Sequence, residues 1–220
     1  MKFDAVLFDW DGTLADTRQA ILLSFRKALG KINVAVPDTL IERRIGIGAD
    51  KTFREILQAK NEHFNDALIK TLVEEKINAE IELSDCVKLF PGALELLISL
   101  QGRLKTALAS MNNRAVIDHF LKKLNISNLF DAVITVEEVS NFKPNPEIFL
   151  KCASRLGIPP ERCIVVEDSI FGVEAAKTAG MSCLAVLTGV YGRQELARAD
   201  PDMIVSSLSD TAQLLRFLLG

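Results

Sequence analysis

The sequence predicts an α/β fold: a doubly wound, mostly parallel sheet with a helical insertion after its first strand. Three observations predict it. An apolar run, Ala5-Val6-Leu7-Phe8, ends in Asp9-Trp10-Asp11-Gly12-Thr13, which reads as a buried strand running out into a turn. From Cys86 onward, short apolar runs alternate with segments of helical spacing, the pattern of parallel, right-handed crossover units. Between these regions, from about Asp16 to Ser84, the spacing is helical and no strand stands out. The expected organisation is a core of residues 1–15 and 85–220 interrupted by a helical unit of residues 16–84.

After the first turn, Ala20, Ile21, Ser24, Phe25, Ala28 and Leu29 fall on one helical face, and Gly30 is placed to end that helix. Pro37 to Arg44 reads as a short helix opening with proline, and Gly46-Ile47-Gly48 breaks the pattern. Thr52 to Lys60 and Asp66 to Asn78 read as two more helices. In the core, helix Ala93–Leu100 precedes strand Lys105–Ala109. Helix Ala115–Leu124 carries Val116, Ile117, Phe120, Leu121 and Leu124 on one face, and strand Ala132–Thr135 follows. Helix Pro146–Leu156 repeats the spacing at Ile148, Phe149, Cys152, Ala153 and Leu156. Strand Cys163–Val166, helix Val173–Ala179, strand Cys183–Leu187, a short apolar Met203–Val205 and helix Thr211–Leu219 complete the run.

A chain of 220 residues can bury a sizeable core. With 49% hydrophobic and 25% charged residues, it has the balance of a soluble globular protein rather than a disordered one. The net charge of -3 and the lack of a dense Lys/Arg stripe argue against nucleic acid as a partner. Arg43-Arg44 and Lys122-Lys123 are expected to be solvated helix-face pairs. No apolar stretch approaches the length of a membrane span, and the strand-like start leaves no room for a signal peptide. The expected location is the cytoplasm, with no membrane partner. Cys86, Cys152, Cys163 and Cys183 form no Cys-x-x-Cys pair, so core packing is expected of them rather than disulfides or metal. His63 and His119 have no nearby metal-ligand partner and are expected to be bystanders.

Ligands of open parallel sheets bind beyond the carboxyl ends of the strands. Asp9 and Asp11 stand at such an end. Carboxylates gathered there suit Mg2+, a hard cation that prefers oxygen; one can attack phosphorus while its neighbour moves a proton. Three further features fall at strand ends. Ser110, in Ala109-Ser110-Met111-Asn112-Asn113, offers a hydroxyl either to a phosphoryl oxygen or to a helix cap. Lys143, in Asn141-Phe142-Lys143-Pro144-Asn145-Pro146, is held extended by Pro144 and is either aimed at a fixed target or solvated. Glu167-Asp168-Ser169 puts two more acids at a strand end, or caps the next helix.

The ordered set Asp9-x-Asp11-Gly12-Thr13, Ser110, Lys143-Pro144 and Glu167-Asp168 resembles the four signatures of the haloacid dehalogenase superfamily, most of whose members are phosphohydrolases. The resemblance covers the whole core, and the helical insertion is similar to the family's mobile cap. It implies Asp9 as nucleophile and Asp11 as general acid and base. It implies Gly12, Thr13, Ser110, Met111 and Lys143 as a phosphate cradle. Mg2+ is expected at Asp9, Asp11, Glu167 and Asp168, with Glu167 acting through water. Charge balance agrees, because four clustered acids repel one another unless Mg2+ and Lys143 offset them. The cap loop Gly46-Ile47-Gly48-Ala49-Asp50-Lys51 is the expected specificity element, with Gly46 and Gly48 allowing close backbone approach and Lys51 as its cation.

Within the superfamily the motifs look like the phosphoglycolate phosphatase and β-phosphoglucomutase branches. The mutase uses a cap His and Arg where this chain has Ile21 and Ala49, which favours hydrolysis over transfer. Dehalogenases and phosphonoacetaldehyde hydrolases lack the second acid that Asp11 supplies. The expected activity is Mg2+-dependent hydrolysis of small phosphate monoesters, phosphoglycolate or sugar phosphates. The alternatives are a phosphomutase or a non-catalytic phosphate-binding regulator. The oligomeric state is not legible.

Overall fold

The first strand, β1 (Ala5–Phe8), is wholly buried because both its faces are covered. Val6 and Phe8 point into one apolar cluster, Ala5 and Leu7 into the other. A strand sandwiched this way needs a continuous apolar run rather than an alternating one. The structure, a computed structural model, describes residues 2–220. Six parallel strands form the main sheet, in the order β5-β4-β1-β6-β7-β8. The others are β4 (Lys105–Ala109), β5 (Ala132–Ile134), β6 (Cys163–Glu167), β7 (Ser182–Val186) and β8 (Met203–Val205). β1 pairs in register with both β4 and β6, Phe8 lying between Leu108 and Val166. The strand order reverses at β1, which opens a crevice at its carboxyl end.

Helices α5 (Ala93–Leu100), α6 (Arg114–Lys123) and α10 (Thr211–Leu219) cover one face, while α7 (Glu147–Leu156), α8 (Ile170–Thr178) and α9 (Arg193–Ala197) cover the other. The helical segment contains α1 (Arg18–Gly30), α2 (Asp38–Glu42), α3 (Ala49–Ala59) and α4 (Asp66–Glu82). These pack around their own apolar cluster, which includes Phe25, Ile41, Phe53, Ile56 and Leu72. Phe25 and Phe53 meet at 4.7 Å between ring centroids.

The structure departs from the sequence reading in several places. A two-stranded antiparallel ribbon, β2 (Ala15–Asp16) with β3 (Lys88–Leu89), joins the points where the chain leaves the core and returns. Two-residue strands carry no readable alternation, so neither was expected. Helix α9 was also unexpected; it is a five-residue helix, too short for a periodic signature. α4 runs past Asn78 to Glu82. Ala49, Asp50 and Lys51 belong to the first turn of α3 rather than to a loop. Gly48, at φ 90°, precedes that helix, and Asp50 accepts from Arg54 one turn on at 2.7 Å. Gly30 is the last helical residue and does not itself take a left-handed conformation; Asn33 does, at φ 57°. Cys152, Cys163 and Cys183 are buried as expected, but Cys86 is exposed. Arg43 and Arg44 are not a plain solvated pair. Arg43 reaches Glu195 of the core, and Arg44 pairs with Glu55. Among the described residues no helix is long and apolar enough to cross a membrane.

Candidate active site

The crevice at the end of β1 gathers side chains from three strand ends and one loop. Asp9 follows β1, Ser110 follows β4, Asp168 follows β6, and Lys143 comes from the loop before α7. Lys143 is fully buried and donates to Asp9 Oδ1 at 2.7 Å and to Glu167 Oε1 at 2.8 Å. It also lies over the Phe149 ring, 4.8 Å from the centroid. The Lys143–Pro144 peptide bond is cis, and Pro146 stands just ahead of α7 rather than inside it. Glu147 ties this loop down. Its carboxylate accepts from the backbone N–H groups of Ser140 and Asn141 and from Asn141 Nδ2, at 2.8–3.1 Å.

Glu167 is held by Lys143 and by three groups of residues 168 and 169. Its Oε1 takes Lys143, and its Oε2 takes Asp168 N, Ser169 N and Ser169 Oγ at 2.8–2.9 Å. Ser169 also caps α8, accepting from Gly172 N at 3.0 Å. The sequence left open whether Ser169 caps the helix, and it does so while serving the site. Asp168 Oδ1 accepts from Thr13 Oγ1 at 2.8 Å. Its other oxygen faces Gly12 and Gly189, where a Cβ would sit 2.4 Å and 1.7 Å from Oδ2. Only glycine fits at either position.

Asp11 is held from two sides. Thr17 Oγ1 donates to Oδ1 at 2.8 Å, and Ser110 Oγ lies 3.5 Å from Oδ2. Ser110 also accepts from Asn112 N at 3.0 Å, and Asn113, not Ser110, precedes α6. Met111 is buried beneath Gly48, where a Cβ would lie 3.6 Å from Met111 Cε.

Carboxylates of Asp9, Glu167 and Asp168 have oxygens within 4.8 Å of one another, all buried. The electrostatics follow from that crowding. Burial raises the Asp9 carboxyl well above the ordinary range. Lys143 opposes the rise, while Glu167 and Asp11 add to it. Asp168 is raised by burial and by the negative charges of Glu167 and Asp9. Asp11 rises to about 6, first through burial and then through Glu80, with Lys76 and Thr17 pulling it down. Burial would lower Lys143, but Asp9 and Glu167 outweigh it and the ammonium is held above its usual value. An oxygen-only donor set with excess buried negative charge fits a hard divalent cation.

Above the crevice the helical segment borders a half-open pocket. Asp11, Met111 and Asn112 form its floor; Ile21, Phe25, Gly46, Gly48, Ala49 and Lys76 are among its walls. A second cavity, of about 130 Å³, opens beside Asp11, Gly12 and Asp168 toward Arg18, Phe90 and Tyr191. Gly46 and Gly48, at φ 98° and 90°, lie on the core near Ser169 and Met111. Lys51 does not line either cavity; it faces an outer groove beside Ser140, Phe142 and Pro144. The sequence reading missed Thr17, Lys76, Glu80 and Asn112. It also missed a clasp between segment and core, in which Arg43 stacks 4.4 Å over the Tyr191 ring and Tyr191 Oη donates to Arg43 O at 2.9 Å.

The model of the haloacid dehalogenase-like hydrolases matches residues 6–186. The chain is 33% identical over 188 residues to the fructose-1-phosphate phosphatase of Escherichia coli K12, covering 84% of this chain and 97% of that protein. It is also 33% identical over 214 residues to the chloroplastic protein SUPPRESSOR OF QUENCHING 1 of Arabidopsis thaliana, where 92% of this chain spans 19% of that protein. The solved structure of a β-phosphoglucomutase from Clostridium difficile is 28% identical and superposes with a TM-score of 0.87, covering 99% of this chain and 97% of that one. With the sheet order, the strand-end acids and the buried lysine in place, these matches give one answer. The chain belongs to the haloacid dehalogenase-like hydrolase family.

Proposed function

We propose that the chain is a Mg2+-dependent phosphatase that hydrolyses small phosphate monoesters through an aspartyl-phosphate intermediate, with residues 16–84 acting as its cap. The observation that carries the reading is the buried ion-paired contact of Lys143 with Asp9 and Glu167, at 2.7 and 2.8 Å. Mg2+ would be held by the side chains of Asp9 and Asp168 and the backbone carbonyl of Asp11. Glu167 would act through water, its Oε2 being already taken by three protein donors. When bound, the ion supplies positive charge that offsets the clustered acids and the phosphate dianion.

An Asp9 carboxylate oxygen bonds to phosphorus as the bond from phosphorus to the leaving oxygen breaks. Asp11 donates its proton to that leaving alkoxide. An elevated value of about 6 keeps a useful fraction of Asp11 protonated near neutrality. Asp11 then takes a proton from the water that attacks the phosphoenzyme, releasing phosphate and restoring Asp9. Lys143, Ser110 and the backbone around Gly12, Thr13 and Met111 neutralise the non-bridging oxygens.

Hydrolysis is favoured over a mutase reaction because Ile21 and Ala49 line the cavity; neither can hold a second phosphate or transfer a proton. The test is phosphate release from a panel of phosphorylated metabolites with and without Mg2+, run beside Asp9→Asn. Release that needs both Mg2+ and Asp9 supports the reading. Normal turnover by Asp9→Asn, freed of contaminating phosphatase, removes Asp9 as nucleophile.

A further inference from the structure

The pocket over Asp11 contains a buried ion pair whose part in the chemistry above is confined to its charge on Asp11. Lys76 and Glu80, one turn apart on α4, are paired and buried, Glu80 with no exposed surface. Asn112 on the core bridges them, accepting from Lys76 Nζ at 2.9 Å and donating from Nδ2 to Glu80 Oε1 at 2.9 Å. Lys76 and Asn112 line the cavity, and Glu80 stands behind them. The other lining cation there, Arg44, is bound to Glu55 at 2.8 Å and to Leu40 O at 2.9 Å. In the neighbouring cavity Arg18 is bound to Glu42 at 2.6 Å. Among the described residues, every cation lining these two cavities is therefore matched by a carboxylate.

A leaving group attached to an oxygen beside Asp11 must occupy this space. If that group carries a carboxylate or a second phosphate, it gives up hydration and meets no uncompensated cation; Glu80 and Asp11 repel it instead. An uncharged polyol loses less hydration. It can take a hydrogen bond from Lys76, whose ammonium has three donors, and pack against Ile21 and Phe25. We infer that the chain selects phosphate esters of uncharged, hydroxyl-bearing alcohols, and that Glu80 is the specificity-determining residue that excludes anionic ones. Glu80 is a positioning residue, acting through the charge of Lys76. The inference rests on the phosphatase reading and narrows it to sugar or polyol phosphates over phosphoglycolate.

The test compares kcat/KM for matched esters, 2-hydroxyethyl phosphate against phosphoglycolate and glycerol 1-phosphate against 3-phosphoglycerate, with Mg2+. The wild type is expected to prefer the neutral member of each pair by about tenfold or more. Glu80→Gln leaves the Lys76 charge free. It is expected to raise kcat/KM for the anionic members about tenfold, through KM, while the neutral members hold or fall. A purely structural role would lower both members together, and that result overturns the inference, as does a wild type that prefers the anionic esters. The double variant Lys76→Met/Glu80→Met, which replaces a buried pair by apolar side chains of similar size, guards against a misfolded single variant. Its cavity is again neutral, so the wild-type preference is expected to persist, and a reversal overturns the inference. p-Nitrophenyl phosphate separates the two levels. No Mg2+-dependent turnover of any ester by the wild type sinks the phosphatase reading and the inference with it. Turnover with ratios that Glu80→Gln does not move sinks the inference alone.

Discussion

Thr17 Oγ1 donates a 2.8 Å hydrogen bond to Asp11 Oδ1, and Thr17 is the residue just before the first cap helix. The inserted helical segment thus begins one residue from a group hydrogen-bonded to the proposed acid. With one oxygen fixed and the other beside Ser110, Asp11 has little rotational freedom. Thr17→Val keeps the shape and removes the donor. Turnover is expected to fall about 10- to 100-fold, with a stability loss of about 1 kcal/mol. Steady-state kinetics paired with thermal unfolding checks it, and unchanged kcat would show that Thr17 does not orient Asp11.

Lys143→Ala removes the cation shared by Asp9 and Glu167. Two buried carboxylates then face each other without compensation, which costs about 3 kcal/mol or more, and kcat is expected to drop at least about 100-fold. Saturating Mg2+ should restore part of the stability but not the turnover, because the phosphate still lacks its ammonium. Denaturant melts with and without Mg2+ separate the two effects.

Gly189→Ala places a methyl 1.7 Å from Asp168 Oδ2, closer than any atom pair tolerates. Asp168 or the backbone must move, at a cost of about 1–3 kcal/mol. The Mg2+ concentration for half-maximal activity is expected to rise about tenfold or more. An unchanged Mg2+ titration would remove Asp168 from the metal site.

Glu147 accepts from Lys151 and from the backbone of Ser140 and Asn141, which lowers its carboxyl to about 2. A depressed carboxyl stabilises the fold above its unfolded value and loses that contribution as pH falls through the folded one. Glu147→Gln should therefore destabilise the protein near neutrality, and the difference from wild type should shrink between about pH 4.5 and pH 2. Thermal melts across that range test the sign; a gap that widens on acidification contradicts it.

Arg43 crosses from cap to core, stacking on Tyr191 and pairing with Glu195 at 2.5 Å. Both partners are exposed enough for salt to weaken the pair. Arg43→Ala is expected to raise KM a few-fold while leaving kcat nearly unchanged, and high salt should raise the wild-type KM toward the variant's. Rapid-mixing kinetics that show no change in substrate retention would exclude a clasping role.

Much of this was legible because the signals are local. The β1 apolar run, the strand-end acids and the Lys143-Pro144 loop each announce themselves within a few residues, and the structure places them around one crevice. What escaped depends on partners far away in sequence. Lys76 and Glu80 have the same one-turn spacing as Lys70 and Glu74 on the same helix, yet the second pair is exposed and the first is buried against Asn112. Periodicity alone cannot tell them apart, since the difference is made by Asn112, 36 positions from Lys76 and 32 from Glu80. The placement of Lys51 was not legible for the converse reason. It sits in the correct stretch, but the first turn of α3 rotates it onto the outer groove.

The placement of β1 also governs when the molecule can exist. Its first residue, Ala5, pairs with Lys105 on one side and Cys163 on the other, so neither edge of β1 is covered until β4 has been made, and the second waits for β6. Cap helices, whose contacts are largely among themselves, can assemble on the ribosome well before that. A chain that ends before β6 would therefore carry the helical segment over an absent floor, and it could not hold Asp9, Lys143, Glu167 and Asp168 in one place.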